Sequence, residues 1–313
     1  MRNDEKTTMR RTGQAARRRT ARRLVGVNVV IAVIIACGWI PGPIGTAVSV
    51  ILPLLGVVSI AVALAVFVIF RRAAIPASAA VILWLVAIAP ALPALPGAPT
   101  ATPLTIASQN VRAQSGGGEG SATDILSHHP DLITLTELDD SSREAANRVF
   151  AAKYPYSYGV GTVGIWSMNP LVAEEPLDLG LGWKRALHVT VQTPGGDTSV
   201  YLIHAASLRP GAQTARDDML AALAATVRDD PSPQVIALGD FNAATTDPAL
   251  RFLGAELDLV RPNIGTTGFS WPAALPLVKI DHVFQRGFDV GSATTMRAGE
   301  SDHLATLTTL SRR

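Results

Sequence analysis

Three long apolar stretches followed by many short ones divide this chain. Residues 24–40, 44–70 and 73–92 are almost unbroken in hydrophobic side chains. A helix needs about twenty such residues to cross a bilayer core. The first stretch is near the lower limit, the second allows for tilt or a bend at Pro53, and the third matches the length. Downstream the apolar runs become short and are bounded by Gly, Pro or polar residues, the pattern of strands. The segments 104–111, 131–137, 159–168, 187–192, 199–204, 235–238, 278–284 and 304–310 read this way. Two segments have helical spacing. Residues 122–129 form a short helix stopped by Pro130, and residues 212–228 place Met219, Leu220, Leu223 and Val227 on one face.

Composition follows the same division. Hydrophobic residues make up 48% of the 313 and charged residues only 17%, a balance tilted away from an ordinary soluble enzyme. The excess lies in residues 24–98, whose only charged side chains are Arg71 and Arg72. Ahead of them, residues 1–23 carry nine basic residues against Asp4 and Glu5; such an arm reads as a disordered, solvated tail. Basic loops stay in the cytoplasm, so the tail and Arg71–Arg72 both belong inside, the uncharged break at Pro41-Gly42-Pro43 belongs outside, and the third span carries residue 93 onward out of the cytoplasm. A cleaved signal peptide or a lipoprotein site at Cys37 is the competing reading of the first run; two further spans directly behind it favour an uncleaved anchor with Cys37 as a small apolar residue. Cys37 is the only cysteine, so the exported part relies on its own core rather than on a disulfide. The expected organisation is a cytoplasmic tail (1–23), three transmembrane helices (24–92), a stiff Pro-rich linker (93–103) and a catalytic domain (104–313).

Within that last part the strands repeatedly end in chemistry. Residues 235–238 are apolar, Gly239 lets the backbone leave the strand, and Asp240 and Asn242 follow, placed on one side by alternation with Phe241 turned into packing. In the same way 104–111 delivers Asn110, 131–137 delivers Glu137, 199–204 delivers His204, and 278–284 carries Asp281 and His282. Ser301-Asp302-His303 precedes the last strand. Each alone has a plain reading as a capped or solvated strand end. The glycine-rich segment 116–120 lacks the lysine and spacing of a phosphate loop and reads as a flexible loop. His128 and His129, at a helix end where a cation suits the dipole, read as structural.

The ordered set Gln109-Asn110, Thr136-Glu137, Ile203-His204, Gly239-Asp240-Phe241-Asn242, Ile280-Asp281-His282 and Ser301-Asp302-His303 resembles the endonuclease/exonuclease/phosphatase superfamily over roughly residues 104–310. The resemblance implies an α/β (α+β) fold, a four-layer sandwich of two packed, mostly antiparallel sheets flanked by helices. It also implies a phosphoesterase using Mg²⁺ or Mn²⁺, hard cations suited to oxygen ligands. By similarity Glu137 is the main metal ligand, with Asn110 and Asp302 beside it. Asp240 then activates the attacking water and Asn242 donates to the phosphate. His303, held by Asp281, contacts the phosphate, and His204 assists the phosphate or the leaving oxygen. Some nucleases of the family carry an acid two residues after the equivalent of Asn110. Here that residue is Arg112, which favours one metal. The segment around Trp271 resembles one that borders the mouth of the site.

Substrate class rests on charge. Of 27 basic residues 11 precede residue 73, whereas only Asp4 and Glu5 of the 25 acidic ones do, so the rest of the chain keeps 16 basic and 23 acidic side chains, a net of −7. Nucleic-acid affinity comes mainly from Lys and Arg on phosphates. A small or lipid-linked phosphoester is therefore the expected substrate, with an extracellular nuclease as the alternative. A binding module without catalysis, or a passive outer domain of a membrane assembly, are the other classes. The full acid set argues against the first, and spans without internal charge argue against the second. The sequence identifies no protein partner.

Overall fold

The computed structural model describes all residues except 1, 98–102, 114–117, 210–211 and 264, and no side chains within 2–11. The chain forms two compact units, Met1–Pro90 with Thr246–Pro248, and Ala91–Thr245 with Ala249–Arg313.

The first unit is a three-helix bundle of α1 (Arg2–Cys37), α2 (Pro43–Ile69) and α3 (Ala74–Ile88), the last flanked by short 3₁₀ turns. Three helical segments, Thr12–Cys37, Pro43–Ile69 and Arg71–Ala91, are long and apolar enough to cross a membrane. The basic tail, expected to be disordered, instead continues α1 as helix. Its Arg, Ala and Gln residues are good helix formers, and extending an existing helix avoids the cost of nucleation. Arg18 lies over the Phe70 ring at 5.6 Å and Arg71 over Phe67 at 5.0 Å, so the tail base and the Arg71–Arg72 turn share one end of the bundle. Inside it, the buried Asn28 donates to the carbonyls of Ala77 (2.7 Å) and Ser59 (3.2 Å), joining all three helices. Cys37 is a free thiol at the end of α1.

The second unit is a sandwich of two mixed six-stranded sheets. The strands are β1 (Leu104–Asn110), β2 (Leu132–Thr136), β3 (Tyr156–Val160), β4 (Val163–Ser167), β5 (Leu171–Leu177), β6 (Ala186–Thr193), β7 (Gly196–His204), β8 (Val235–Asp240), β9 (Asp258–Leu259), β10 (Asp281–Arg286), β11 (Phe288–Met296) and β12 (Ala305–Arg312). One sheet runs β11-β12-β1-β2-β4-β3 and the other β5-β6-β7-β8-β10-β9. Helices α4 (Gly118–Leu126), α5 (Asp140–Phe150), α6 (Gln213–Asp229) and α7 (Leu253–Glu256) complete it.

Alternation along the strands explains the layers. In β7, Val200 and Leu202 join the core between the sheets while Tyr201 and Ile203 pack against Met219, Leu220, Leu223 and Val227 of α6; β8 divides in the same way, Ile236 and Leu238 inward, Val235 and Ala237 outward. In the other sheet Leu132 faces the central core, and Ile133 and Leu135 face Ile125 of α4 and Phe150 of α5. The apolar runs lack polar alternation because both faces are covered.

Several details differ from the sequence reading. The single strand expected over 159–168 is the β3–β4 hairpin, turned at Gly161 in the left-handed region. Strands β5 and β11, α5 and the short β9 were not anticipated. Gly239 does not end its strand. It remains paired within β8, with φ 127°, because a side chain there would strike the Ile203 carbonyl of neighbouring β7. Part of the expected linker is pinned: the amides of Ala94 and Gly97 bond to Pro262 and Val290 at 2.8 and 3.0 Å. Residues 98–102 of that linker, and 116–117 of the glycine-rich loop, lie outside the described residues.

Candidate functional site

Strand direction gathers the polar residues at one end of the sandwich. β1 runs parallel to β2, and β7 parallel to β8, and the contact of Asn110 with Asp240 brings the two pairs of carboxyl ends together. They deliver Asn110, Glu137, His204 and Asp240. Antiparallel β10 and β12 bring their amino ends to the same place, with Asp281 opening β10 and His303 just before β12. In the second sheet His204, Asp240 and Asp281 are cross-strand partners in one row, spaced by about 5 Å between strands.

Hydrogen bonds join the two sheets across this end. Asn110 Nδ2 donates to Asp240 Oδ2 at 2.9 Å. His204 Nε2 lies 3.4 Å from Glu137 Oε1 and 3.9 Å from Asp240 Oδ2. His303 Nδ1 bonds Asp281 Oδ2 at 2.8 Å. Asn242 reaches Asp240 twice, through its backbone N–H to Oδ1 (2.8 Å) and Nδ2 to Oδ2 (3.3 Å), and also bonds the Ala205 carbonyl. The expected convergence of Asp240 and Asn242 is present, but by another route. The strand has ended, and Asn242, at φ 48°, closes an Asx-type turn on Asp240 instead of alternating with it. Phe241 is fully buried between the layers, beside His282 and Phe284.

A supporting shell fixes these groups. Ser301 Oγ donates to the Asn110 carbonyl (2.6 Å) and accepts the His303 amide (3.1 Å), tying the Ser-Asp-His segment to the end of β1. Gln109 Nε2 donates to the His303 and Ala298 carbonyls. Arg216, fully buried on α6, donates to the Asn242 carbonyl at 2.9 Å and so holds the Asx turn from below.

Charges follow from these contacts. Glu137 is held down at about 2, chiefly by its hydrogen bond with His204, against burial and with help from Asn110 and His303. It is ionised throughout the physiological range. Asp240, wholly buried and facing Asp281, is shifted upward, only partly countered by His303 and His204. Burial opposes charge on His303, yet Asp281, by charge and by hydrogen bond, with Asp240 and Asp302, raises it to about 10. His282 points the other way from Asp281, into the core. Burial and the nearby Lys279 push it down to about 3, and its Nε2–H donates to the Ala243 carbonyl, so it is a structural residue.

The His303–Asp281 pair gives a pH signature. A histidine raised in the fold stabilises fully below its ordinary 6.5, and that contribution is lost as pH rises through about 10. Wild-type protein is expected to lose thermal stability between pH 8 and 11, on the order of 5 °C more than Asp281→Asn. Parallel melting curves for the two would refute the pairing.

The side chain of the expected ligand Asp302 is half-exposed and lies 4.0 Å from Arg112 Nε. Arg112 itself is exposed and donates its amide to Asn110 Oδ1 (2.9 Å). Asp240, Asp281 and His303 also offer ligand atoms within 4.8 Å of one another. A protonated imidazole has no lone pair to give, so a metal suits this trio less well than the oxygens of Glu137 and Asn110. Trp271 is 38% exposed, in a segment whose Ala273 amide bonds the Asp302 carbonyl at 2.7 Å. His129 lies beyond the end of α4, 3.4 Å from Lys153, ahead of the amino end of β2 and so at the end opposite Glu137.

Sequence reasoning missed two arginines. Arg185, just before β6, is 5% exposed and its Nη2 contacts the His204 ring, 2.7 Å from Nδ1. Nη2 also contacts Nε2, but one nitrogen cannot accept from Arg185 and donate to Glu137 together. Acceptance at Nδ1 and donation from Nε2–H satisfies both neighbours. Arg185 precedes the expected strand 187–192 and belongs to no motif, so the sequence did not mark it. Arg216 was legible in principle, since it lies three and four residues before Met219 and Leu220, on the apolar face of α6.

The sequence profile of the Endonuclease/Exonuclease/phosphatase family matches residues 107–303, a span that contains Asn110, Glu137, His204, Asp240, Asp281 and His303. The chain belongs to that family. Among solved structures it is similar to D. rerio TDP2 complexed with single-strand DNA product (18% identity, 67% of this chain and 99% of that one, TM-score 0.57). It is also similar to sphingomyelinase C from Streptomyces griseocarneus (17%, 66% and 99%, TM-score 0.51) and to a Staphylococcus aureus beta toxin mutant with bound magnesium ions (14%, 66% and 99%, TM-score 0.52). These likenesses establish the phosphoesterase fold of the family, here preceded by three apolar helices. No curated protein matches the sequence.

Proposed function

We propose that this chain is a membrane-anchored, divalent-metal-dependent phosphoesterase acting outside the cytoplasm on a small or lipid-linked phosphoester. The observation that carries the reading is the division of labour within one cluster of strand ends drawn from both sheets. Glu137 is ionised at all working pH, Asp240 is a buried carboxylate shifted upward, and His303 is a cation fixed on Asp281. A hard cation fits the oxygens of Glu137 and Asn110, with half-exposed Asp302 as a further ligand, and would neutralise phosphate charge when bound. Asp240, between Asn110 and Asn242, takes the proton of the attacking water, a task suited to a carboxylate of raised basicity. Asn242 and His303 donate to the phosphate oxygens as charge accumulates, and His204, with its Nε2–H on Glu137, flanks Asp240 on the opposite side.

The outer location rests on charge. Arg18 and Arg71 lie at one end of the bundle, which favours the cytoplasm for that end. The preference for small or lipid-linked esters rests on the net −7 of the rest of the chain, and sphingomyelinase C among the similar structures supports a lipid-linked phosphoester. D. rerio TDP2 with its DNA product keeps the nuclease reading as the competitor.

One comparison tests both parts. Full-length protein is assayed at physiological salt with Mg²⁺ on phospholipid vesicles, a phosphomonoester and duplex DNA, and cells carry a reporter fused after residue 103. Lipid or small-ester turnover at least about 10-fold above DNA cleavage is expected, with the reporter active only outside. Efficient duplex cleavage with a steep salt dependence would establish the nuclease instead.

A further inference from the structure

Arg185 stands out because the site encloses it without pairing it. The side chain is buried, yet among the described residues no carboxylate lies within ion-pair distance of it. Its Nε–H is buried and has no partner. Asp240 and Glu137 are near enough to favour its charge, but their described hydrogen bonds go elsewhere, Asp240 to Asn110 and Asn242, Glu137 to His204. Trp183 holds the guanidinium from outside, with its ring 4.8 Å away, although the indole is itself 54% exposed. A guanidinium serving only to support His204 has no need to be buried with an idle donor, since a buried unpaired cation is unfavourable. An anion drawn into the cleft would complete it.

The row of strand ends shows where that anion sits. His303 supplies a cation on the Asp281 side of Asp240. On the His204 side the positive charge comes from Arg185. A phosphate approaching Asp240 among Glu137, Asp281 and Asp302 needs positive charge on both flanks, and the planar guanidinium fork matches two phosphate oxygens. We infer that Arg185 is a further catalytic residue, whose guanidinium binds the non-bridging oxygens of the substrate phosphate beside His204. The inference rests on the phosphoesterase reading above and extends it to the phosphate subsite.

Full-length protein in detergent is titrated with inorganic phosphate, by calorimetry and as an inhibitor of bis(p-nitrophenyl) phosphate hydrolysis with Mg²⁺. Arg185→Gln is expected to weaken phosphate binding about 10-fold or more and lower kcat/KM by about 10²-fold, with its melting temperature near that of wild type. Added guanidinium chloride is expected to restore part of the activity of Arg185→Ala, which a purely structural role does not predict. Wild-type phosphate affinity in folded Arg185→Gln overturns the inference. If that variant does not fold, Arg185→Met, which keeps the apolar stem without the charge, carries the same test, and unchanged phosphate affinity there overturns it equally. Absence of turnover in the wild type, with calorimetric phosphate binding still dependent on Arg185, would count against the hydrolytic reading and uphold the anion site.

Discussion

Glu137→Gln and Asp240→Asn each lose about 10²-fold or more in kcat/KM, but their stabilities move in opposite directions. Glu137 has its pKa lowered to about 2 in the fold, so its ionised form stabilises above its ordinary 4.5 and that gain disappears as pH falls through about 2. Replacing it with an amide at neutral pH removes the gain and lowers the melting temperature. Asp240 is raised instead, by burial and by Asp281. Its ionised form costs stability at neutral pH, so an amide there relieves repulsion and leaves the melting temperature equal or higher, even after one acceptor for Asn110 or the Asn242 amide is lost. The loss of activity follows from removing a ligand in one case and the base in the other. Melting curves without added metal, alongside steady-state rates, check both halves. A drop in stability for Asp240→Asn as large as that for Glu137→Gln would show that the electrostatic account of the row is wrong.

Gly239→Ala is the second large effect, and it acts on the scaffold. Gly239 is held at φ 127°, which an alanine adopts only under strain, and a Cβ there meets the Ile203 carbonyl oxygen, a backbone atom that cannot move without breaking the β7–β8 pairing. A loss of about 3 kcal/mol or more is expected. Activity should fall with it, because His204 and Asp240 are the next pair in the same register. Phe241→Ala, which empties a fully buried site against His282 and Phe284, is expected to cost about 3–5 kcal/mol. Denaturant unfolding measures both. Gly239→Ala within about 1 kcal/mol of wild type would mean that the close approach of β7 and β8 is not required.

Much of this was legible because buried strands announce themselves. Runs such as 235–238 and 199–204 are apolar on both faces, and the polar residue that ends each one stands out against them. Edge strands carry no such contrast. β5 is mostly exposed and irregular between Val172 and Glu175, and β11 is bulged near Gly291 between Val290 and Ser292; neither shows a clean alternation. Helix α5 was hidden for another reason. Its capping box pairs Asp139 with Ser142, whereas the familiar sequence signal has Glu or Gln in the second position. In the site, residues at strand ends could be placed, but Arg185 and Arg216 act across long sequence separations, on His204 and on the Asn242 carbonyl. Spacing says nothing about which strand end a distant arginine will meet. The basic tail misled because charge density was read as disorder, although the same residues favour helix once a span provides the nucleus.

The most direct test of the central claim is a metal titration of the full-length wild-type protein. It is stripped with chelator, then assayed on bis(p-nitrophenyl) phosphate across a range of Mg²⁺ and Mn²⁺, with Glu137→Gln beside it. Hydrolysis should be absent after stripping, return saturably with either ion, and stay at least about 10²-fold lower in Glu137→Gln at the same metal concentrations. Full hydrolysis in excess chelator, or a Glu137→Gln protein as active as wild type, would contradict the account.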